Sequence, residues 1–95
     1  MAIDRDTLLS RNAAILDAPL GDEEIVMMNV DMNSYYALNP VASRIWQLLE
    51  TPRTIGQLCA RIRDEFEVEP DHCEADVREF ANQLLANGAV YASAP

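Results

Sequence analysis

The chain has little of what most site chemistries need. Its three glycines, Gly21, Gly56 and Gly88, stand alone and far apart. No glycine-rich loop is therefore available to cradle phosphates, which removes nucleotide hydrolysis. There is one histidine, His72, and it adjoins Cys73. Neighbours on a helix splay about 100° apart, so the two do not form a nucleophile–base pair. Cys59, His72 and Cys73 also lack the spacing of zinc ligands. The spacing of the two cysteines on helical patterns fits packed free thiols rather than a disulfide. Neither a metal nor another cofactor is expected.

Basic residues are also scarce: seven Lys and Arg stand against sixteen Asp and Glu, for a formal net charge of −9. Such a chain repels phosphate backbones and anionic lipid and favours neutral or basic partners. No apolar run approaches membrane-spanning length, and Asp4, Arg5, Asp6 and Arg11 interrupt the stretch where a signal peptide would need an apolar core. A soluble cytoplasmic protein without a membrane or nucleic-acid partner is expected. Ninety-five residues with 49% apolar and 24% charged content make one small domain with a single core.

Residues 1–12 show no clear period and read as a flexible lead-in, with 92–95 as a tail and 13–91 as the folded domain. Ile15 to Ala18 is a short apolar strand ended by the turn cluster Pro19-Leu20-Gly21-Asp22. Glu24 to Val30, EIVMMNV, is β-branched and apolar on both alternating faces, as befits a central strand. Asp31-Met32-Asn33 then turns the chain into a third strand over Tyr35, Tyr36, Ala37 and Leu38.

At Asn39-Pro40 the two-residue period of that strand gives way to a helical one. Asn suits the N-cap, and Pro at the first helical position has no N–H to leave unpaired. The first helix runs from Pro40 to about Glu50 on the stripe Val41, Ile45, Leu48 and Leu49, with Trp46 at its edge. Thr54 and Gln57 have capping-box spacing for a second helix, which carries Leu58, Cys59 and Ile62 and ends near Phe66. Asp71 and Glu74 have the same spacing for a third, whose apolar face includes Cys73, Val77, Phe80 and Leu84, with Gly88 as terminator. The fold class is α+β and winged-helix-like, a three-stranded antiparallel sheet followed by three helices. Leu38, Ile45, Trp46, Leu49, Leu58, Ile62, Phe66, Val77 and Leu84 form the expected core.

A helix-turn-helix with a wing is also a DNA-reading architecture. Here, however, the third helix offers Arg78 alone against Glu74, Asp76 and Glu79, whereas phosphate contacts need clustered bases. A winged-helix transcriptional regulator is thus the alternative function, and a small enzyme ranks behind it. The better fit is an interaction module. Asp76, Gln83 and Asn87 flank the Val77-Phe80-Leu84 stripe, and the third strand, last in its meander, leaves an edge unpaired. That edge also offers a route to a weak homodimer.

Several segments have a familiar look: E-x-V-M-M-N-V at 24–30, S-Y-Y-A-L-N at 34–39, R-I-W-x-L-L at 44–49, D-V-x-x-F at 76–80 and L-L-x-x-G at 84–88. Together they resemble the PqqD-like family of RiPP recognition elements. The resemblance implies three strands followed by three helices in a non-catalytic peptide chaperone. Such a chaperone binds the leader segment of a ribosomally synthesised precursor peptide and presents it to a modifying enzyme or a leader protease. It further implies that the leader adds as a strand beside Asn33, Ser34, Tyr35, Tyr36, Ala37 and Leu38 and lies against the third helix at Asp76, Val77, Phe80, Gln83, Leu84 and Asn87. Members serve pyrroloquinoline quinone or lasso-peptide biosynthesis. The Ser34-Tyr35-Tyr36 run and the free-standing length are closer to the lasso type. The acidic third helix departs from the pattern and points to a leader carrying Lys or Arg.

Overall fold

Asn39 and Pro40 place the first helix where local chemistry dictates. In the computed structural model, which describes residues 3–93, α1 spans Pro40–Leu48 and the Asn39 side chain accepts the Ala42 N–H at 2.8 Å. Immediately before it, β4 (Ser34–Leu38) completes an antiparallel meander with β2 (Ile15–Pro19) and β3 (Ile25–Asn29), in the order β2-β3-β4. β3 is the central strand of the three, as its double-faced apolar pattern requires. The register pairs Ile25 with Leu38, Met27 with Tyr36 and Asn29 with Ser34, which sets these residues on the inner face. At the turn, Asn33 takes a positive φ of 51° and its N–H reaches the Val30 carbonyl at 3.1 Å.

α2 (Ile55–Glu65) starts at the expected capping box: Thr54 Oγ1 accepts the Gln57 N–H and the Gln57 side chain accepts the Thr54 N–H. α3 (Pro70–Ala86) begins earlier than expected. Asp71 does not cap it; Glu69 occupies the N-cap without a side-chain bond and Pro70 opens the first turn. Proline's preset φ outweighs the capping-box spacing one residue later. At the other end Gly88, at φ +70°, lets the Ala89 N–H reach the Leu84 carbonyl and its own N–H reach Leu85, the paired bonds of a Schellman motif.

The chain ends differ most from expectation. Residues 1–12 are not wholly a lead-in: β1 (Leu8–Arg11) is the middle strand of a second sheet, between β5 (Arg53–Thr54) and β6 (Val90–Ser93). Ile3 and Leu9 are fully buried. Residues 92 and 93 pair with Leu9 and Leu8, so the tail is strand to that point, while 1–2 and 94–95 lie outside the described residues. A four-residue strand whose partners are 44 to 85 positions away leaves too short a period to read locally.

Of the expected core, Leu38, Ile45, Trp46, Leu49, Leu58, Ile62, Val77 and Leu84 are buried, and Phe66 is half-buried against them. Trp46 is no edge residue. Its Nε1 donates to Asp17 Oδ2 at 2.7 Å, and the Arg11 guanidinium lies 4.2 Å from its ring centroid. Arg11 also donates to the Trp46 carbonyl and approaches Asp17 at 3.6 Å, so one cluster ties β1, β2 and α1 together. Two further buried polar residues fix the meander. Ser43 Oγ accepts the Ile25 N–H and donates to the Leu38 carbonyl, fastening α1 to β3 and β4. Asn29 Nδ2 donates to the Asn87 carbonyl at 2.8 Å, joining β3 to the end of α3.

Candidate functional site

β4 is an outer strand of the meander, with the backbone groups of one side unpaired. Ser43 sets where its end meets α1, and Asn29 sets where α3 ends beside the sheet. The space between β4, α1 and α3 is a groove made of two hollows that share Phe80 and Gln83.

The smaller hollow, about 120 Å³, is lined by Met27, Tyr36, Ala37, Leu38, Phe80, Gln83, Leu84 and Asn87. The larger, about 370 Å³, runs along α1 and α3; its apolar wall includes Val41, Ala42, Ile45, Val77 and Phe80. Asn39, Asp76, Glu79 and Gln83 supply its polar groups. No basic residue lines either hollow, and among the described residues neither Asp76 nor Glu79 takes part in an ion pair. The groove is thus apolar on its floor and acidic at its lip. A more voluminous hollow, about 610 Å³, lies at the α2–α3 connection among Arg63, Asp64, Glu65 and Glu67. Ala60, Phe66 and Val68 give it some apolar lining, but no strand edge runs along it.

Nine of the twelve residues expected at the site line the groove: Tyr36, Ala37, Leu38, Asp76, Val77, Phe80, Gln83, Leu84 and Asn87. Val77 and Leu84 are buried and form its floor, while Phe80 is half-exposed. Asn33, Ser34 and Tyr35 do not line it. Asn33 belongs to the turn, and strand alternation sends the Tyr35 side chain to the opposite face, where it is 74% exposed. Ser34 faces inward beyond the hollow, and its buried Oγ has no hydrogen-bond partner among the described residues. The α1 residues Val41, Ala42 and Ile45 were not expected at the site. The stripe that carries Val41 and Ile45 signalled only core, Ala42 gave no signal, and a helix shared between core and groove has the same period.

The reactive groups, Cys73 at the wall of the larger hollow among them, are unpromising for catalysis. His72 is exposed, whereas Cys59 and Cys73 are buried free thiols, and burial pushes the Cys59 thiol up to about 11. On α3, Arg78 donates to the Ile3 carbonyl at 2.6 Å and is thereby engaged within the fold.

A meander with an open edge, set beside the last of three helices, defines an α+β domain of winged-helix-like form. The family model described as "Coenzyme PQQ synthesis protein D (PqqD)" matches residues 24–90, and the chain belongs to this family. Two solved structures share the fold. One is TbiB1 in complex with the TbiA(beta) leader peptide, 28% identical with a TM-score of 0.80, over 90% of this chain and 99% of that one. The other is lasso peptide synthetase B1 complexed with the leader peptide, 25% identical with a TM-score of 0.74, over 87% of this chain and 96% of that one. Comparison with curated sequences gives no significant match. No described helix is long and apolar enough to cross a membrane.

Proposed function

We propose that this protein is a non-catalytic recognition element, acting in the cytoplasm, that binds the leader of a ribosomally synthesised precursor and presents it to a modifying enzyme or leader protease. The observation that carries this reading is the apolar groove lying directly along an unpaired strand edge. The leader adds antiparallel or parallel to β4, its backbone satisfying the open N–H and C=O groups. Its alternate side chains enter the hollows around Phe80 and Gln83. Main-chain bonds supply affinity that depends little on sequence, and the hollows supply choice. Both leader-bound neighbours share this fold, which supports the lasso-peptide branch for the precursor. Asp76 and Glu79, without ion-pair partners at the lip, favour a leader with Lys or Arg beside its apolar anchors.

An unstructured leader loses entropy on ordering, so a strand-sized contact should give a Kd on the order of 1 μM. The test is titration of the cognate leader into the protein and its variants. Phe80→Ala should weaken binding about tenfold, the loss of roughly 1.4 kcal/mol from one anchor. Proline placed in turn at Ser34, Tyr35, Tyr36 and Ala37 should abolish binding at the positions whose N–H points outward and damage the hairpin at the others. A leader that shifts amide resonances on α2 or β2 and leaves 33–38 and 76–87 unmoved would overturn the assignment.

A further inference from the structure

An antiparallel sheet with one face in water normally carries polar residues on that face. The meander does not. Its register aligns Leu16, Met28 and Tyr35 in one row and Ala18, Val26 and Ala37 in the next, all on the side away from the helices. The first row is 57%, 44% and 74% exposed, and no charged side chain lies among the six. Acidic residues sit at both ends instead: Asp22, Glu23 and Glu24 in the β2–β3 turn and Asp31 in the β3–β4 turn, all exposed. A contiguous apolar face with a charged rim marks an interaction surface.

We propose that this outer face docks a protein partner whose contact surface is apolar at its centre and carries Arg or Lys at its rim. Charge complementarity selects that occupant over a second copy. Two copies packed face to face with aligned strands would bring acidic turn against acidic turn at each end, on chains that each carry a net charge of −9. The same charge disfavours an anionic membrane. β4 contributes to both surfaces: Tyr36 and Leu38 face the groove, while Tyr35 and the Ala37 side chain face outward, Ala37 bordering the smaller hollow only along the strand edge. A partner on the outer face therefore sits one strand from the edge where the leader adds. This makes the partner the enzyme that acts on the precursor, an identity that rests on the leader-binding reading; the docking face itself does not.

The experiment uses the full chain, isotope-labelled, and a purified modifying enzyme or leader protease that acts on the precursor, with and without leader. Amide resonances of residues 16–18, 26–28, 35 and 37 should shift or broaden on adding enzyme. Leu16→Asp and Met28→Asp should each weaken enzyme binding about tenfold or more while leader affinity stays within about twofold. Both sites are exposed, and melting curves check folding. The charge reversals Glu23→Arg and Asp31→Arg, both at exposed positions, should also weaken enzyme binding and reduce its salt dependence. Enzyme binding at this face in a protein that ignores the leader would leave the docking site standing and sink the leader reading. No enzyme binding, unchanged binding by all four variants, or enzyme contacts on α2 would overturn the docking site. So would a dimer in the wild type that Met28→Asp dissolves, since a second copy would then cover the face.

Discussion

The two small sheets of this protein are built by opposite means. In β2-β3-β4 each strand pairs with the next one along the chain, through turns of a few residues. In β5-β1-β6 the middle strand comes first, and its partners come from the α1–α2 connection and the end of the chain. The local sheet carries the open edge and the groove. The non-local one closes the ends of the chain over the helices and buries Leu9. Loop closure over such distances costs entropy that only burial offsets, so the closing sheet should be where stability is concentrated. The meander, in contrast, can present an unpaired strand because its register is already set by short turns.

Leu9→Ala should have the largest effect. If β1 is the keystone of the closing sheet, removing a fully buried Leu should cost about 2 to 5 kcal/mol in urea denaturation. A loss near zero would return residues 8–11 to the status of a lead-in. Asn29→Ala acts on the other sheet and leaves the part-buried Asn87 carbonyl without its side-chain partner, a loss of about 1 to 3 kcal/mol. Because Asn29 holds α3 against the meander, leader affinity should fall too, whereas Leu9→Ala in its folded fraction should bind normally. Equal binding losses in the two variants would mean that the sheets are not functionally separate.

Thr54→Ala, where β5 runs into α2, removes the capping box and should cost about 1 kcal/mol without changing leader affinity. The smallest effect concerns Cys59, which lies in neither sheet. Burial raises its thiol to about 11 from an ordinary 9.0, so the folded state holds the proton more tightly than the unfolded chain. The contribution is fully present below about pH 9 and is lost as pH rises toward 11. Stability should therefore be independent of this group at neutral pH and fall in alkali, less so in Cys59→Ala. Thiol reagents at neutral pH should label the native protein slowly.

Much of the site was legible because it is assembled from neighbours in sequence. Asn39-Pro40 joins strand to helix, and the Val77-Phe80-Leu84 stripe with Asp76 and Gln83 beside it has a helical period that needs no partner to be seen. Orientation was left open by the sequence, and one helix cap was misplaced. Tyr35 and Tyr36 are chemically alike, and only the pairing of Met27 with Tyr36 decides which one enters the groove. Asp71 lost the N-cap to Glu69 through the proline between them.

Local chemistry therefore set the meander, the start of α1, the capping box of α2, the glycine stop of α3, and the acidic character of the lip. These follow from dihedral preferences, capping and periodicity within a few residues. Tertiary structure alone decided that Leu8–Arg11 and Val90–Ser93 pair, that α1 lends Val41, Ala42 and Ile45 to the groove, and that Leu16, Met28 and Tyr35 share an exposed face. Each of these depends on contacts between distant positions, whose energy comes from joint burial and leaves no period in any one segment.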